Sequence, residues 1–175
     1  MTTPPPVICL PAEAPWHPPV RPCVIRSRFG PRPAPYGPLH PGVDLHAPMG
    51  TEVHAVDDGV IARSYCSWSD PPDAKPGQPR PPWWPQGEAW PRAMGFGECV
   101  WLSLADGRTV VYAHLQRRLV EAGQRVVRGQ VLGLAGSTGW SQGPHLHLEV
   151  RLNRGFLDPA PFLEPLINPL RPEGT

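Results

Sequence analysis

Lysine is almost missing from this chain: its 175 residues include one, Lys75, against fifteen arginines. Basic and acidic side chains number 16 and 15 and are interspersed, so no positive stripe exists to grip a nucleic-acid backbone. Long apolar runs are also missing. Nothing approaches the roughly 20 residues that cross a bilayer, and the longest early apolar run, Val7-Ile8-Cys9-Leu10, is shorter than the about 7–15-residue core of a secretory signal. The four cysteines, Cys9, Cys23, Cys66 and Cys99, include no close pair, which argues against a structural zinc site. Sustained amphipathic helical repeats are lacking too, and the length suits one domain.

What is present is glycine (18) and proline (28), with short apolar runs between turn signals. This pattern predicts an all-β fold. Strands are expected over 52–56, 60–64, 98–104, 108–114, 130–135 and 145–151, with tight turns at Asp57-Asp58-Gly59 and Ala105-Asp106-Gly107. The second turn makes a hairpin that sets Val100 and Trp101 beside the strand carrying His114. Two segments break the pattern. Residues 1–25 form a proline-rich arm expected to lie over the domain or loose in solvent, and 67–95 form an insertion holding Trp68, Trp83, Trp84 and Trp90. The domain itself is expected over 26–163, with a tail at 164–175.

The residues that carry chemistry lie about a hundred positions apart: His40-Pro41-Gly42-Val43-Asp44 and His145-Leu146-His147. Imidazole and carboxylate are zinc's ligands, and a catalytic zinc takes three of them and leaves a position for water. Strand alternation places His40 and Asp44 on one face. It likewise separates His145, His147 and Glu149 from Leu146, Leu148 and Val150, which read as core. His114, ending the β-prone run Thr109-Val110-Val111-Tyr112-Ala113, adds another imidazole. Any one of these histidines alone reads as a surface or core residue; together they describe a hydrolytic centre.

The same residues resemble the lysostaphin-type, LytM-like zinc endopeptidases of bacterial cell walls. The family's His-x-x-x-Asp is met by His40 and Asp44, its Tyr-x-His-Leu by Tyr112, His114 and Leu115, and its Gly-Pro-His-Leu-His-Phe-Glu by residues 143–149. Phe29-Gly30-Pro31-Arg32, the Gly123 to Gly133 stretch with Gly129-Gln130, and Gly136-Ser137-Thr138-Gly139 agree, while Leu148 and Gln142 depart from the usual phenylalanine and threonine. The resemblance runs from about Arg26 to Leu163. It implies a compact antiparallel β-sandwich in which His40, Asp44 and His147 bind one zinc ion. His114 and His145 then stand beside the reacting water, with the division of base and acid between them left open. The implied substrate is peptidoglycan, cut at stem-peptide cross-links or cross-bridges, and the implied enzyme is a monomer.

Some relatives have lost ligands and act only as wall-binding or regulatory modules; here all five positions are filled. Gly123 to Gly133 also resembles the hairpins of lipoyl and biotinyl carriers, but those need a lysine at an exposed turn, and Lys75 lies in the insertion. A wall substrate implies the cell envelope or the exterior. Since the first basic residue is Arg21, the expectation is phage-type release, an unrecognised export route or a missing leader. Among lesser residues, His46 reads as a groove or supporting residue or as plain surface. Glu149 reads as a hydrogen-bond partner of an imidazole or as an ordinary strand glutamate. Cys66 and Cys99 bracket the insertion and could close it as a disulfide, buried thiols being the default. The tryptophan-rich insertion is expected to wall the substrate groove.

Overall fold

The computed structural model describes residues 16–32, 39–66, 95–153 and 155–167. The expectations for residues 1–15 with Cys9, for Lys75 and the insertion tryptophans Trp68, Trp83, Trp84 and Trp90, and for 168–175 lie outside them. In chain order the strands are β1 (Ile25–Ser27), β2 (Gly30–Pro31), β3 (Leu39–His40), β4 (Val43–Leu45), β5 (Glu52–His54) and β6 (Gly59–Cys66). They continue as β7 (Glu98–Leu104), β8 (Thr109–Arg118), β9 (Arg125–Val126), β10 (Val131–Ala135), β11 (Leu146–Leu152) and β12 (Gly155–Leu157), and helix α1 (Ala160–Ile167) follows.

The main sheet runs β1-β4-β11-β8-β7-β6-β9, with β10 joining β5 to β8 and β12 added to β11; β2 and β3 form a separate pair. Every pairing is antiparallel. Alternation divides the residues between two faces. Leu146, Leu148, Val150, Val110, Tyr112, Val100 and Leu102 point into the main core, whereas Cys99, Val111 and Ala113 share the opposite face with Phe96. Tyr112 is fully buried, and its hydroxyl oxygen accepts the Val56 N–H at 3.0 Å, tying β8 to the chain beyond β5. Truncating a buried leucine such as Leu148 to alanine would cost about 2–5 kcal/mol.

The short strands β1, β2, β9 and β12 escaped the sequence reading, and so did the helix. Helix α1 begins where the Asp158 carboxylate accepts the Ala160 N–H at 2.9 Å, just after Pro159, a normal capping arrangement. Its eight residues are too few to display a helical repeat in a sequence dominated by strands. Leu163 enters the core, and Phe162 stacks on Trp16 with ring centroids 4.6 Å apart. Arg108 lies over both rings, at 4.7 and 5.2 Å. Residues 16–23 of the proline-rich segment are thus packed, with Trp16, Val20 and Cys23 in the main core.

No disulfide joins Cys66 to Cys99; both remain thiols. The β6–β7 register explains this. Cys99 lies opposite Tyr65, and Cys66 lies opposite Glu98, so alternation sends the two sulfurs to opposite faces.

Candidate metal and active site

Three adjacent strands place the polar cluster. In β4 and β11, Asp44 lies directly opposite His147, and on the other side of β11 His147 lies opposite Ala113 of β8. His40 arrives from β3. The sequence reading puts His40 and Asp44 on one strand face, but the chain instead turns between two short strands, at Pro41-Gly42. A Cβ on Gly42 would sit 2.2 Å from the Leu148 carbonyl oxygen, so glycine lets this turn lie against β11. The result is a tight triangle. His40 Nε2 is 3.1 Å from Asp44 Oδ1, His147 Nδ1 is 2.8 Å from the same oxygen, and the two nitrogens are 3.2 Å apart. A tetrahedral ion bonded at about 2.0–2.1 Å spaces its ligands roughly 3.3 Å apart, so these three atoms match one face of such a tetrahedron.

Hydrogen bonds on the far side of each ring decide what faces inward. His40 Nδ1 donates to the Arg28 carbonyl at 2.7 Å, and His147 Nε2 donates to the Glu149 carboxylate at 3.1 Å. Those partners only accept, so a neutral ring keeps its proton there and turns a bare lone pair inward. Asp44 adds a carboxylate oxygen to the same point, while its Oδ2 accepts from Arg32 Nη2 at 2.7 Å. Three lone-pair donors aimed at one another demand a positive charge between them. Without an ion, a proton serves. Burial alone would raise the Asp44 pKa, yet hydrogen bonds and charge from His147 and His40 hold it well below the usual carboxylate range. Burial alone would lower His147, but Asp44 and Glu149 pull it above its ordinary value. Two imidazoles and a carboxylate with an open side are a donor set that suits zinc and could hold it.

His114 is placed by a strained backbone. Its φ is +61°, uncommon for any residue but glycine, and it sits at the β7–β8 bulge where β8 leaves β11 and takes up β10. The bulge turns its ring toward the triangle, with ring centroids 5.7 Å from His147 and 4.7 Å from His145. His114 Nδ1 donates to the Thr138 carbonyl at 2.8 Å, and His145 Nδ1 donates to that of Gly143 at 2.8 Å. Both rings therefore also present a bare Nε2, that of His145 lying 3.6 Å from Asp44 Oδ1. Burial, reinforced by His147 and His145, pushes His114 down to about 3, so it stays neutral.

An open cleft of about 190 Å³ exposes this cluster, with Leu39 and Pro41 on its lining together with Phe96 and Trp140. Trp140 is 68% exposed, and its main-chain N–H donates to the Gly95 carbonyl at 2.7 Å. All five residues expected from the sequence are brought together here. His46 is not: it faces Arg26 at the surface, 3.4 Å away and outside the cleft. Glu149 is fully buried and bonded to His147, the first of its two expected readings. Sequence reasoning missed Arg32 as the partner of Asp44, although Phe29-Gly30-Pro31-Arg32 fits the family pattern. It also missed the carbonyls of Arg28, Thr138 and Gly143, for which no signal exists, since every residue carries one.

Known proteins place this geometry. The profile of Peptidase family M23 matches residues 84–159. The chain is 35% identical over 122 residues to the DD-carboxypeptidase/endopeptidase Mpg of Neisseria meningitidis, covering 70% of this chain and 22% of that protein. It is 33% identical over 138 residues to the peptidoglycan DD-endopeptidase ShyC of Vibrio cholerae, covering 74% and 25%. The chain thus spans about a quarter of the length of these curated relatives. Among solved structures, the catalytic domain of the antimicrobial peptidase lysostaphin from Staphylococcus simulans matches with a TM-score of 0.60 and 31% identity, over 78% of this chain and 89% of that one. With fold, sequence and the His-Asp-His cluster in agreement, the chain belongs to peptidase family M23.

Proposed function

We propose that this chain is a zinc-dependent endopeptidase that hydrolyses peptide bonds of bacterial peptidoglycan, in stem-peptide cross-links or cross-bridges. One observation carries the reading: donor atoms of His40, Asp44 and His147, from distant parts of the sequence, lie within 3.2 Å of one another beneath an open cleft that His114 and His145 also line. His40, Asp44 and His147 would hold the ion. Zinc in such a ligand set supplies a nucleophilic water near neutral pH and a Lewis acid for the scissile carbonyl. Arg32 keeps Asp44 to one inward oxygen. His114 and His145 would carry the proton traffic: a bare Nε2 takes the proton of the attacking water, and the departing amine receives a proton from an Nε2 that has been protonated in this way or from solvent. The Thr138 and Gly143 carbonyls hold Nδ1–H of both rings, which leaves Nε2 as the nitrogen that accepts and then passes on a proton.

The names of the relatives support a wall-peptide substrate, and the location follows from it: the cell envelope or the exterior. Among the described residues no helix is long and apolar enough to cross a membrane. The test is mass spectrometry of purified peptidoglycan after digestion. New peptide termini are expected, they should vanish with a chelator and return with zinc, and their masses identify the bond. Intact cross-links in the presence of zinc-loaded protein would overturn the enzymatic reading in favour of a silent wall-binding module.

A further inference from the structure

Behind the ion site, on the same face of β11, Glu149 has its side chain 1% exposed and its two oxygens divided between two partners. Oε1 accepts the His147 Nε2–H at 3.1 Å. Oε2 accepts from Arg151, at 2.7 Å from Nε and 2.6 Å from Nη2. The guanidinium is itself boxed by aromatic rings: Trp101 of β7 at 4.4 Å, Phe156 of β12 at 5.0 Å and Phe96 at 5.7 Å. A planar cation fits that box and forks onto one oxygen, whereas a lysine ammonium would lack both the stacking plane and the fork. His147, Glu149 and Arg151 sit at every second position of one strand, so the file is straight.

We propose that Arg151 is a positioning residue for the metal centre: it aims Glu149 so that Oε1 takes the His147 Nε2 proton, leaving Nδ1 bare toward His40 and Asp44. The inference rests on the reading of His147 as a metal ligand and deepens it. Without the boxed guanidinium the carboxylate is free to rotate, the imidazole loses its fixed tautomer, and its inward nitrogen is a lone pair only part of the time. Partners in this outer position commonly change metal affinity about 10–100-fold.

The test uses the full chain with zinc alone, titrated against a competing chelator, and with nitrogen-15 shifts of the His147 ring in the metal-free protein in alkaline solution, where the ring carries a single proton. Arg151→Lys keeps the charge; Arg151→Ala removes the group; Glu149→Gln in either background tests whether the two act in series. Expected are a single Nε2–H tautomer in the wild type, a mixture in both Arg151 variants, and zinc binding weakened roughly 10–100-fold, with little further loss from Glu149→Gln. Should Arg151→Ala fail to fold, Arg151→Lys decides. Wild-type tautomer and affinity in the folded Arg151 variants overturn this inference alone. A wild-type chain that binds no zinc overturns the metal reading and this inference with it.

Discussion

Gly97→Ala is a substitution of one methyl group, away from every proposed ligand, that should disable turnover while sparing the ion site. Gly97 has φ +63°, and a Cβ there would stand 2.4 Å from the Thr138 carbonyl carbon and Oγ1. The backbone conformation alone costs alanine about 1–2 kcal/mol. The overlap adds more, since relief to ordinary contact requires a shift of about 1 Å, for a total near 2–4 kcal/mol. At about 2–4 °C per kcal/mol for a domain of this size, the melting midpoint falls by roughly 5–15 °C. Thr138 moves most. Its carbonyl holds His114 at 2.8 Å, its hydroxyl donates to the Leu115 carbonyl at 2.6 Å, and its Oγ1 accepts the Glu98 N–H at 2.9 Å. A misplacement of about 1 Å at a reacting group costs on the order of 100-fold in rate. His40, Asp44 and His147 hang from other strands, so zinc per chain should be unchanged. The assay is kcat/KM on purified wall peptides together with zinc content and the melting midpoint. A Gly97→Ala protein with wild-type turnover and midpoint would refute the coupling from Gly97 through Thr138 to His114.

His114→Ala should keep its zinc and lose about 10²–10⁴-fold in turnover, the usual worth of a proton-transfer group; loss of zinc instead would make His114 a ligand. Trp140→Ala, at an exposed site, should shift stability by less than about 0.5 kcal/mol while lowering kcat/KM on wall peptides several-fold, and equal activity would remove Trp140 from the substrate path. In metal-free protein, His114 titrates at about 3, whereas an unfolded imidazole titrates near 6.5. The unfolded chain therefore binds more protons between about pH 3 and 6.5, and stability falls as pH is lowered through that window, by on the order of 4 kcal/mol. The raised His147 pKa has the opposite sign, giving stability that is complete below about 6.5 and drains as pH rises through its folded value. Urea midpoints of chelated protein should thus drop from pH 6.5 to 4 and flatten in His114→Ala; a wild-type midpoint that climbs toward acid would contradict the assignment.

The sheet was legible because alternation is a local property. β11 declares its core face through Leu146, Leu148 and Val150, and its site face through His147 and Glu149. Turn chemistry at Asp106-Gly107 announced the β7–β8 hairpin for the same reason. The site was legible in its residue types and less so in its geometry. His40 and Asp44 meet across a turn that depends on Gly42 approaching the β11 backbone, a tertiary contact that no local pattern encodes. The His114 bulge is equally silent: a left-handed φ at a histidine is imposed by β8 changing partners, from β11 to β10. Helix α1 lacked the length to show a period, although Asp158-Pro159 carries its start signal. The bonds that set the imidazole tautomers come mostly from main-chain carbonyls, which every sequence has everywhere.

Everything chemical in this site depends on His40, Asp44 and His147 gripping a single ion. X-ray absorption at the zinc edge of the loaded chain measures that grip. The expected result is one zinc per chain, with nitrogen and oxygen neighbours only at about 2.0–2.1 Å, two of them imidazoles, and loss of this shell in Asp44→Ala. Sulfur neighbours at about 2.3 Å, or the same shell surviving Asp44→Ala, would show that the ion sits elsewhere.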